Sequence, residues 1–226
     1  MAVLDIQVLP SILAADQSNL ENECVKAEFA GGDQIHIDVM DGIFVPCKNF
    51  TPETVNISRS VTSIPQNVHL MVQNPEKYIQ HYVEVGASTI HIHIESDGNI
   101  NKMISEIKSH QIRAGIAINP ETSIEKTLDF LKQTAVDDVL IMTVNPGLGG
   151  QEYMQNMEEK IFSVRRAFSN TNITVDGGID RLSIKGAAEN GANIFVAGSY
   201  LYNLQDMNSG IKELRKIAQF NFSKRL

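Results

Sequence analysis

Polar residues capable of metal binding and proton transfer lie within, or at the end of, three β-rich apolar runs. His36 and Asp38 alternate along residues 34–40, so their side chains share one face of the predicted strand, and His69 lies in the next run. Asp176 ends a later run, directly before two glycines. Two imidazoles and two carboxylates form a donor set that suits a borderline divalent ion such as Zn²⁺, Mn²⁺ or Fe²⁺. The residue types therefore predict a metal centre at these four positions, provided that the fold brings the strands together.

Each of these residues, taken alone, is explained equally well as a separately satisfied polar group at a strand end. A His-x-Asp pair inside an apolar strand is costly to bury unless it is paired or metal-bound, and further candidate ligands at equivalent strand ends favour the joint explanation. His91, His93 and Glu95 form a second candidate set on one strand. Same-face residues of a single strand are spread along it rather than converging, so we rank this set lower. A role for His93 behind a metal ligand or towards the substrate stays open.

Eight short β-rich runs alternate with segments that carry helix signals. The runs lie at residues 6–9, 34–40, 67–72, 89–94, 113–118, 138–144, 172–176 and 193–197. Strands that alternate with helices are normally parallel, because each crossover returns the chain to the same end of the sheet. Eight units in 226 residues average about 28 residues each, which predicts a single (β/α)₈ TIM barrel domain over residues 1–226. An open doubly wound sheet is the alternative, but it commonly uses about five or six strands and would leave several runs unexplained.

Short motifs mark the predicted ends of the helices. Ser18-Asn-Leu-Glu21 and Thr122-Ser-Ile-Glu125 are typical of capping boxes, in which a hydroxyl and a carboxylate bind free amides of the first turn. Asn74 precedes a proline at a predicted first helical position. Three glycines occur where helices are predicted to end: Gly31, Gly86 and Gly191.

Glycines also follow the strands that would form the barrel mouth. Barrels collect their chemistry at the carboxyl ends of the strands and often bind phosphate after the last two, through backbone amides. Gly177-Gly178 and Gly198-Ser199 follow the seventh and eighth runs and predict such a phosphate site, with ordinary turn glycines as the alternative. The glycine-rich segment 145–151 predicts a flexible lid over bound substrate. Three methionines at or near strand ends are more simply explained as core residues: Met40, Met71 and Met142.

Composition and charge exclude several classes of protein. The chain of 226 residues is 42% hydrophobic and 20% charged, which is typical of a folded domain. Its formal charge of −8 has the wrong sign for binding nucleic acid through phosphate contacts. No stretch reaches the roughly 18 apolar residues of a membrane span, and residues 1–5 lack the features of a signal peptide. We therefore expect a cytoplasmic protein without nucleic-acid or membrane partners. Cys24 and Cys47 lack a Cys-x-x-Cys spacing and are expected to be reduced.

Seven motifs, in order along nearly the whole chain, resemble those of the ribulose-phosphate 3-epimerase family. They are Pro10-Ser-Ile-Leu, His36-Ile-Asp-Val-Met-Asp-Gly42, Val68-His-Leu-Met-Val72, Met142-Thr-Val-Asn-Pro-Gly147, Gly149-Gly-Gln151, Val175-Asp-Gly-Gly-Ile179 and Val196-Ala-Gly-Ser199. The resemblance implies an enzyme of the pentose phosphate pathway that interconverts D-ribulose 5-phosphate and D-xylulose 5-phosphate, by two-base proton transfer at C3 through an enediolate. It implies one divalent ion per active site (Zn²⁺, Fe²⁺, Mn²⁺ or Co²⁺) and a homo-oligomer, because relatives assemble as dimers or larger rings.

The resemblance also implies roles for individual residues. His36, Asp38, His69 and Asp176 would be the metal ligands, with Asp38 and Asp176 as the two catalytic proton carriers. The implied substrate contacts lie on the barrel floor and the mouth loops: Ser11, Met40, His69, Met71, Met142, Gly147, Leu148, Gly149, Gly150, Gly177, Gly178, Gly198 and Ser199. The two carboxylates suit the reaction on chemical grounds as well, because epimerising a carbon beside a ketone needs one base on each face.

Several positions near the mouth depart from the family pattern. Leu148 stands where the lid motif usually has phenylalanine, Ile43 where histidine is frequent, and Cys47 where asparagine is common. These departures leave D-allulose 6-phosphate 3-epimerase open as an alternative activity, and a catalytically silent sugar-phosphate-binding barrel is a second alternative. Decarboxylases and aldol-type enzymes of the same phosphate-binding group carry Asp-x-Lys-x-x-Asp. Asp38-Val-Met-Asp41 has methionine in the lysine position, which argues against them.

Overall fold

Eight parallel strands form the inner wall of the structure, a computed structural model that describes residues 4–225. They are β1 (Gln7–Pro10), β2 (Ile35–Met40), β3 (Gln66–Met71), β4 (Thr89–His93), β5 (Arg113–Ile118), β6 (Asp138–Met142), β7 (Asn172–Asp176) and β8 (Ile194–Ala197). Neighbours from β2 to β8 pair in chain order, β8 pairs with β1, and a bridge between Ser11 and His36 joins β1 to β2. The sheet therefore closes into a single (β/α)₈ barrel, as predicted, and the doubly wound alternative is wrong.

Helices cover the outside of the barrel, one between each pair of successive strands and two more after the last strand. Those within residues 4–225 are α1 (Leu20–Phe29), α2 (Pro52–Val61), α3 (Glu76–Glu84), α4 (Ile100–Ser109), α5 (Ile124–Gln133), α6 (Glu158–Ala167), α7 (Ser183–Glu189), α8 (Ser199–Tyr202) and α9 (Met207–Asn221). Short 3₁₀ turns lie at Ile12–Ala14, Gln17–Asn19 and Gln155–Met157. None of the helices in this part of the chain has the length and apolar character needed to cross a membrane.

Alternation along the strands separates the outer core from the barrel interior. In β2, Ile37 and Val39 belong to the large apolar layer between sheet and helices, together with Cys24 of α1. The alternate residues His36 and Asp38 are equally buried, but on the opposite face, inside the barrel. A strand buried on both faces can therefore present polar groups to the interior while its apolar side chains stabilise the packing of the helices. Cys24 and Cys47 are both free thiols, as expected.

The helix ends agree with the sequence only in part. Gly31, Gly86 and Gly191 follow α1, α3 and α7 with φ of +91°, +80° and +107°, a conformation that glycine adopts without steric cost. The capping box predicted at Ser18 is wrong. Asp16 accepts the Ser18 amide instead and caps the preceding 3₁₀ turn, and α1 begins only at Leu20.

The other predicted helix starts lie one residue from those observed. The N-cap of α5 is Ser123, whose hydroxyl oxygen accepts the Lys126 amide, while the Thr122 hydroxyl donates to the carboxylate of Glu95. Pro75 is the N-cap of α3, so Asn74 lies one position outside and makes no side-chain cap. The Thr122 hydroxyl, which the local sequence predicts to cap the helix, thus binds the distant Glu95 carboxylate instead.

Candidate active site

The carboxyl ends of β2, β3 and β7 bring the four predicted metal-binding residues together. Asp38 of β2 lies opposite His69 of β3 in the parallel register, and Asp176 is the last residue of β7. One ligand atom from each of His36, Asp38, His69 and Asp176 lies within 4.8 Å of the others. No other group of three or more histidine, cysteine, aspartate or glutamate residues converges in this way within residues 4–225.

The donor atoms face one another at the centre of this cluster. His36 Nε2 lies 3.3 Å from Asp38 Oδ1 and 3.5 Å from Asp176 Oδ2. His69 Nδ1 lies 3.2 Å and 3.4 Å from the same two oxygens. Both imidazoles are fully buried, whereas the Asp176 side chain keeps 14% of its surface exposed. Each carboxylate therefore presents an oxygen to both imidazoles, and Asp176 forms the side that solvent or a substrate can reach.

A buried imidazole nitrogen without a hydrogen-bond partner indicates that the cluster suits a cation. The Nε2 atom of His36 is buried and has no hydrogen-bond partner. Its other ring nitrogen, Nδ1, lies 3.0 Å from the side-chain oxygen of Asn67, which can only accept, so Nδ1 carries a proton, and in the neutral ring Nε2 presents a lone pair to the two carboxylates. A divalent ion at this point would satisfy that lone pair, and the N₂O₂ donor set suits Zn²⁺, Mn²⁺, Fe²⁺ or Co²⁺.

The pKa shifts of the cluster residues also favour a bound cation. Burial alone would lower the pKa of His36, but the charges of Asp38 and Asp176 outweigh it and raise the pKa to about 10. The same carboxylates raise the pKa of His69. Burial would raise the pKa of Asp38, but the facing imidazoles lower it. Two buried carboxylates thus demand positive charge, which either protons on the imidazoles or a bound divalent ion can supply.

Two neighbouring residues hold the carboxylates in place. The Ser11 hydroxyl donates to Asp38 Oδ2 at 2.7 Å, on the oxygen that does not face the imidazoles. The Thr143 amide and hydroxyl donate to the backbone carbonyl of Asp176 at 2.8 Å and 3.0 Å, and the hydroxyl also lies 2.6 Å from the carbonyl of Gly177. Thr143 was missed by the sequence reasoning, because its contact with β7 depends on the register between β6 and β7.

A cavity opens above the two carboxylates at the mouth of the barrel. Its lining includes nearly all of the predicted substrate contacts: Ser11, Met40, Met71, Met142, Gly147, Leu148, Gly149, Gly150, Gly177, Gly178, Gly198 and Ser199. The three methionines are at most 3% exposed and lie beside Asp38 and Asp176. His69, also predicted to contact the substrate, is fully buried and is not among the lining residues.

The glycines at the end of β7 are required by close approach of the chain. Gly178 has φ of +65°, and a Cβ atom there would come within 2.6 Å of the backbone nitrogen of Tyr153. Gly177 has φ of +121°, and its Cβ would clash with the Val144 side chain. Only glycine fits at either position, because Tyr153 and Val144 fill the space that a Cβ atom would take.

The predicted lid forms one side of the cavity rim. The side-chain amide of Gln151 donates to the carbonyls of Asn145 and Leu148 at 2.6 Å and 2.8 Å, which gives the loop a fixed shape. Leu148 is 66% exposed, so the rim presents one apolar side chain to solvent. Ile43, on the loop after β2, is 74% exposed but is not among the lining residues.

The second candidate set does not form a metal site of its own. His91 points at Asp138, with Nε2 3.3 Å from Oδ2, and Asp138 also accepts the Thr174 hydroxyl. His93 instead lies behind His69, with their Nε2 atoms 2.9 Å apart. Burial, together with the nearby His69, lowers the pKa of His93 to about 4 despite the adjacent Glu95 carboxylate, so this imidazole is neutral.

Fold and site together define the class of this protein. A (β/α)₈ barrel with a buried polar cluster beneath a loop-lined cavity at the carboxyl ends of its strands is a barrel enzyme. A model of the ribulose-phosphate 3 epimerase family matches residues 7–202. The chain belongs to this family, whose members are isomerases that act on carbohydrates.

Curated relatives are similar over most of the chain. The ribulose-phosphate 3-epimerase of Bacillus subtilis is 40% identical over 218 residues, which cover 93% of this chain and 98% of the relative. The chloroplastic ribulose-5-phosphate-3-epimerase of Arabidopsis thaliana is 39% identical over 220 residues, covering 93% of this chain and 76% of the relative. Among solved structures, 3-hexulose-6-phosphate synthase from Salmonella typhimurium has a TM-score of 0.69 at 13% identity, over 96% of this chain and 100% of that chain. At that identity the likeness concerns the fold alone.

Proposed function

We propose that this chain interconverts D-ribulose 5-phosphate and D-xylulose 5-phosphate by removing a proton at C3 from one face and returning a proton to the other. The family and the names of the curated relatives support this reaction. The single observation that carries it is the pair of carboxylates, Asp38 and Asp176, which reach the floor of one cavity from β2 and β7.

The two carboxylates act as the two bases that the reaction needs. Asp38 is held by the Ser11 hydroxyl on Oδ2 and faces the imidazoles with Oδ1. Asp176 is fixed through its backbone by Thr143, which leaves its side chain free to exchange a proton with the substrate. Each carboxylate accepts the C3 proton in one direction of the reaction and donates in the other.

His36, Asp38, His69 and Asp176 would hold one divalent ion, as the unpartnered Nε2 of His36 supports. When bound, such an ion supplies electrostatic stabilisation of the negative charge that develops on the substrate oxygens in the enediolate. Met40, Met71 and Met142 surround the reacting centre with buried thioethers and exclude water that would compete for the carbanion.

The phosphate is bound by the turns that follow β7 and β8. Gly177-Gly178 and Gly198-Ser199 line the same cavity as the carboxylates, and their backbone amides are the donors that a phosphate would use. Anchoring the phosphate there places C3 between the two carboxylates. Because binding energy from a remote group orients the reacting centre, an unphosphorylated sugar should lose turnover as well as affinity.

One experiment separates this function from its two alternatives. The kcat/KM for D-ribulose 5-phosphate is compared with that for D-allulose 6-phosphate, while exchange of the C3 proton is followed in deuterated water. We expect the pentulose to be preferred, by a factor that corresponds to about 1–3 kcal/mol, which is the usual value of one carbon in a fitted pocket.

The exposure of the cavity rim is the reason for including D-allulose 6-phosphate in this comparison. Leu148, which lines the cavity and is 66% exposed, leaves room at the rim for a longer sugar. A larger kcat/KM for D-allulose 6-phosphate would assign the chain to the alternative epimerase. Binding of either sugar without C3 exchange would instead indicate a catalytically silent barrel.

A further inference from the structure

A line of hydrogen-bonded side chains leads from the metal-binding cluster to the loop that follows β4. His69 Nε2 lies 2.9 Å from His93 Nε2, and the two fully buried rings are stacked with centroids 5.0 Å apart. The other ring nitrogen of His93, Nδ1, lies 3.1 Å from Glu95 Oε2. Phe44 packs against the same imidazole, with ring centroids 4.7 Å apart. The orientation of His93 is therefore fixed on three sides.

Glu95 is itself fixed from behind. Its second oxygen, Oε1, accepts the backbone amide of Asn119 at 3.0 Å and the hydroxyl of Thr122. Lys160, only 7% exposed, donates to three carbonyl oxygens of the same loop, those of Asn119, Pro120 and Thr122, at 3.0, 3.0 and 2.7 Å. The buried ammonium of Lys160 thus fixes the loop that, in turn, fixes the carboxylate of Glu95.

The chemistry of donors and acceptors determines where the protons lie along this line. An ionised carboxylate can only accept, so His93 Nδ1 must donate to Glu95, and the Nε2 atom of an uncharged ring is left with a lone pair. That lone pair accepts the proton on His69 Nε2. When the His69 ring carries this one proton, as a metal ligand must, its Nδ1 has a lone pair directed at the point between Asp38 and Asp176.

We propose that Glu95 and His93 are positioning residues, which select the His69 tautomer whose Nδ1 faces the metal-binding cluster. The inference rests on the proposed function in one respect, that His69 is a metal ligand. His36 reaches the same state by a shorter route, since the side-chain oxygen of Asn67 accepts its Nδ1 proton directly. A partner behind a histidine ligand fixes the ring and raises the basicity of the coordinating nitrogen.

The substitution Glu95→Gln tests this logic, because an amide cannot accept on both sides. If its oxygen faces Asn119 and Thr122, its NH₂ group meets His93 Nδ1 and favours the opposite tautomer of His93, and with it the wrong tautomer of His69. If its oxygen faces His93, the Asn119 amide loses its acceptor. Glu121→Gln, an exposed glutamate on the same loop, is the matched control for the change of charge.

The first measurement is the Zn²⁺ dissociation constant, obtained by competition with a chelator. We expect Glu95→Gln to weaken binding by about 10- to 100-fold, the usual effect of removing a partner behind a metal ligand. Glu121→Gln should remain within about twofold of the unmodified protein. Thr122→Val removes one donor to Glu95 but keeps the carboxylate, so it should lose much less affinity than Glu95→Gln even if it lowers Tm by as much.

The second measurement is the ¹⁵N spectrum of histidines in the Zn²⁺-loaded protein, which reports the protonated nitrogen of each ring. We expect the proton of His93 on Nδ1 and that of His69 on Nε2. A His93 protonated on Nε2, or Glu95→Gln protein that is folded and binds Zn²⁺ as tightly as the unmodified protein, would overturn the inference.

Failure of the proposed function gives a different result. A protein that binds Zn²⁺, loses affinity on Glu95→Gln and yet exchanges no C3 proton would support the positioning role and contradict the epimerase. A protein that exchanges the C3 proton with no bound divalent ion would contradict the positioning role and leave the reaction intact.

Discussion

Replacing Asp176 by asparagine should remove one of the two bases while preserving most of the contacts within the cluster. The two side chains have the same shape, and the amide oxygen of the substituted side chain could still face His36 and His69, which lie 3.5 and 3.4 Å from the present Oδ2. The backbone contacts from Thr143 do not involve the side chain. An amide, however, cannot accept and return the C3 proton. We therefore expect the Asp176→Asn variant to fold and to fail in catalysis.

The two effects should differ clearly in size. Loss of a general acid–base group typically slows a reaction by about 10²–10⁴-fold, which corresponds to about 2.7–5.4 kcal/mol in the activation free energy. The loss of stability should be smaller, about 1–3 kcal/mol, because one buried polar contact is weakened and the side chain stays partly exposed. The assay is kcat/KM beside the thermal midpoint, with Asp129→Asn on the exposed face of α5 as the control.

Proton exchange gives the sharper result. With only Asp38 left, the Asp176→Asn variant should still exchange the C3 proton of one pentulose epimer with deuterated water, but not convert it to the other. Asp38→Asn should behave in the same way with the opposite epimer. Near wild-type turnover in either variant, or exchange of the same epimer by both, would refute the assignment of one base to each face.

Three further predictions concern the metal, the pH and the glycine turn. Exhaustive chelation should abolish turnover, and Zn²⁺, Mn²⁺, Fe²⁺ or Co²⁺ should restore it; undiminished activity in demonstrably metal-free protein would contradict the site. Because the pKa of His36 is raised from 6.5 to about 10, its contribution to stability is fully present below pH 6.5 and is lost as the pH rises through 10. As the pH rises from 6.5 to about 10, the Tm of the metal-free protein should therefore fall more than that of the Zn²⁺-loaded protein. An equal fall in both Tm values would argue against the raised pKa of His36. Gly178→Ala should cost about 1–3 kcal/mol of stability and raise KM for the sugar phosphate, since the new Cβ would lie 2.6 Å from Tyr153 nitrogen; Gly31→Ala, at φ +91° with open space around it, should leave KM unchanged.

The strands were predictable because alternation of apolar and polar residues is a local property. The run 34–40 becomes β2 at Ile35–Met40, with His36 and Asp38 on the inner face as expected. The run 138–144 ends early, at Met142: the Thr143 amide makes the last bond to β7, and its hydroxyl binds the carbonyls of Asp176 and Gly177. Ladder ends depend on such cross-strand contacts, which no local pattern reports.

The missed parts of the site share one physical cause. Asn67 lies behind His36 because the register of β2 and β3 pairs these two residues, and that register is set by the whole barrel. Glu95 reaches Asn119 and Thr122 across two elements of the chain, and by taking the Thr122 hydroxyl it displaces the helix cap that local sequence predicts. In each case the sequence showed the polar residue that belongs to the site, but it did not show the hydrogen-bond partner of that residue.

The bridge between Ser11 and His36 makes closure of the barrel and assembly of the site a single folding event. Every other pair of neighbouring strands has a register of three or more residue pairs, whereas within residues 4–225 this one bridge is the β-pairing between β1 and β2. Native-state opening should therefore begin at this seam, and the backbone amides on either side of it should exchange hydrogen early. Any ligand that needs Asp38 and His36 in place binds only the closed barrel, so its occupancy stabilises the seam by RT ln(1 + [L]/Kd) and slows exchange there first.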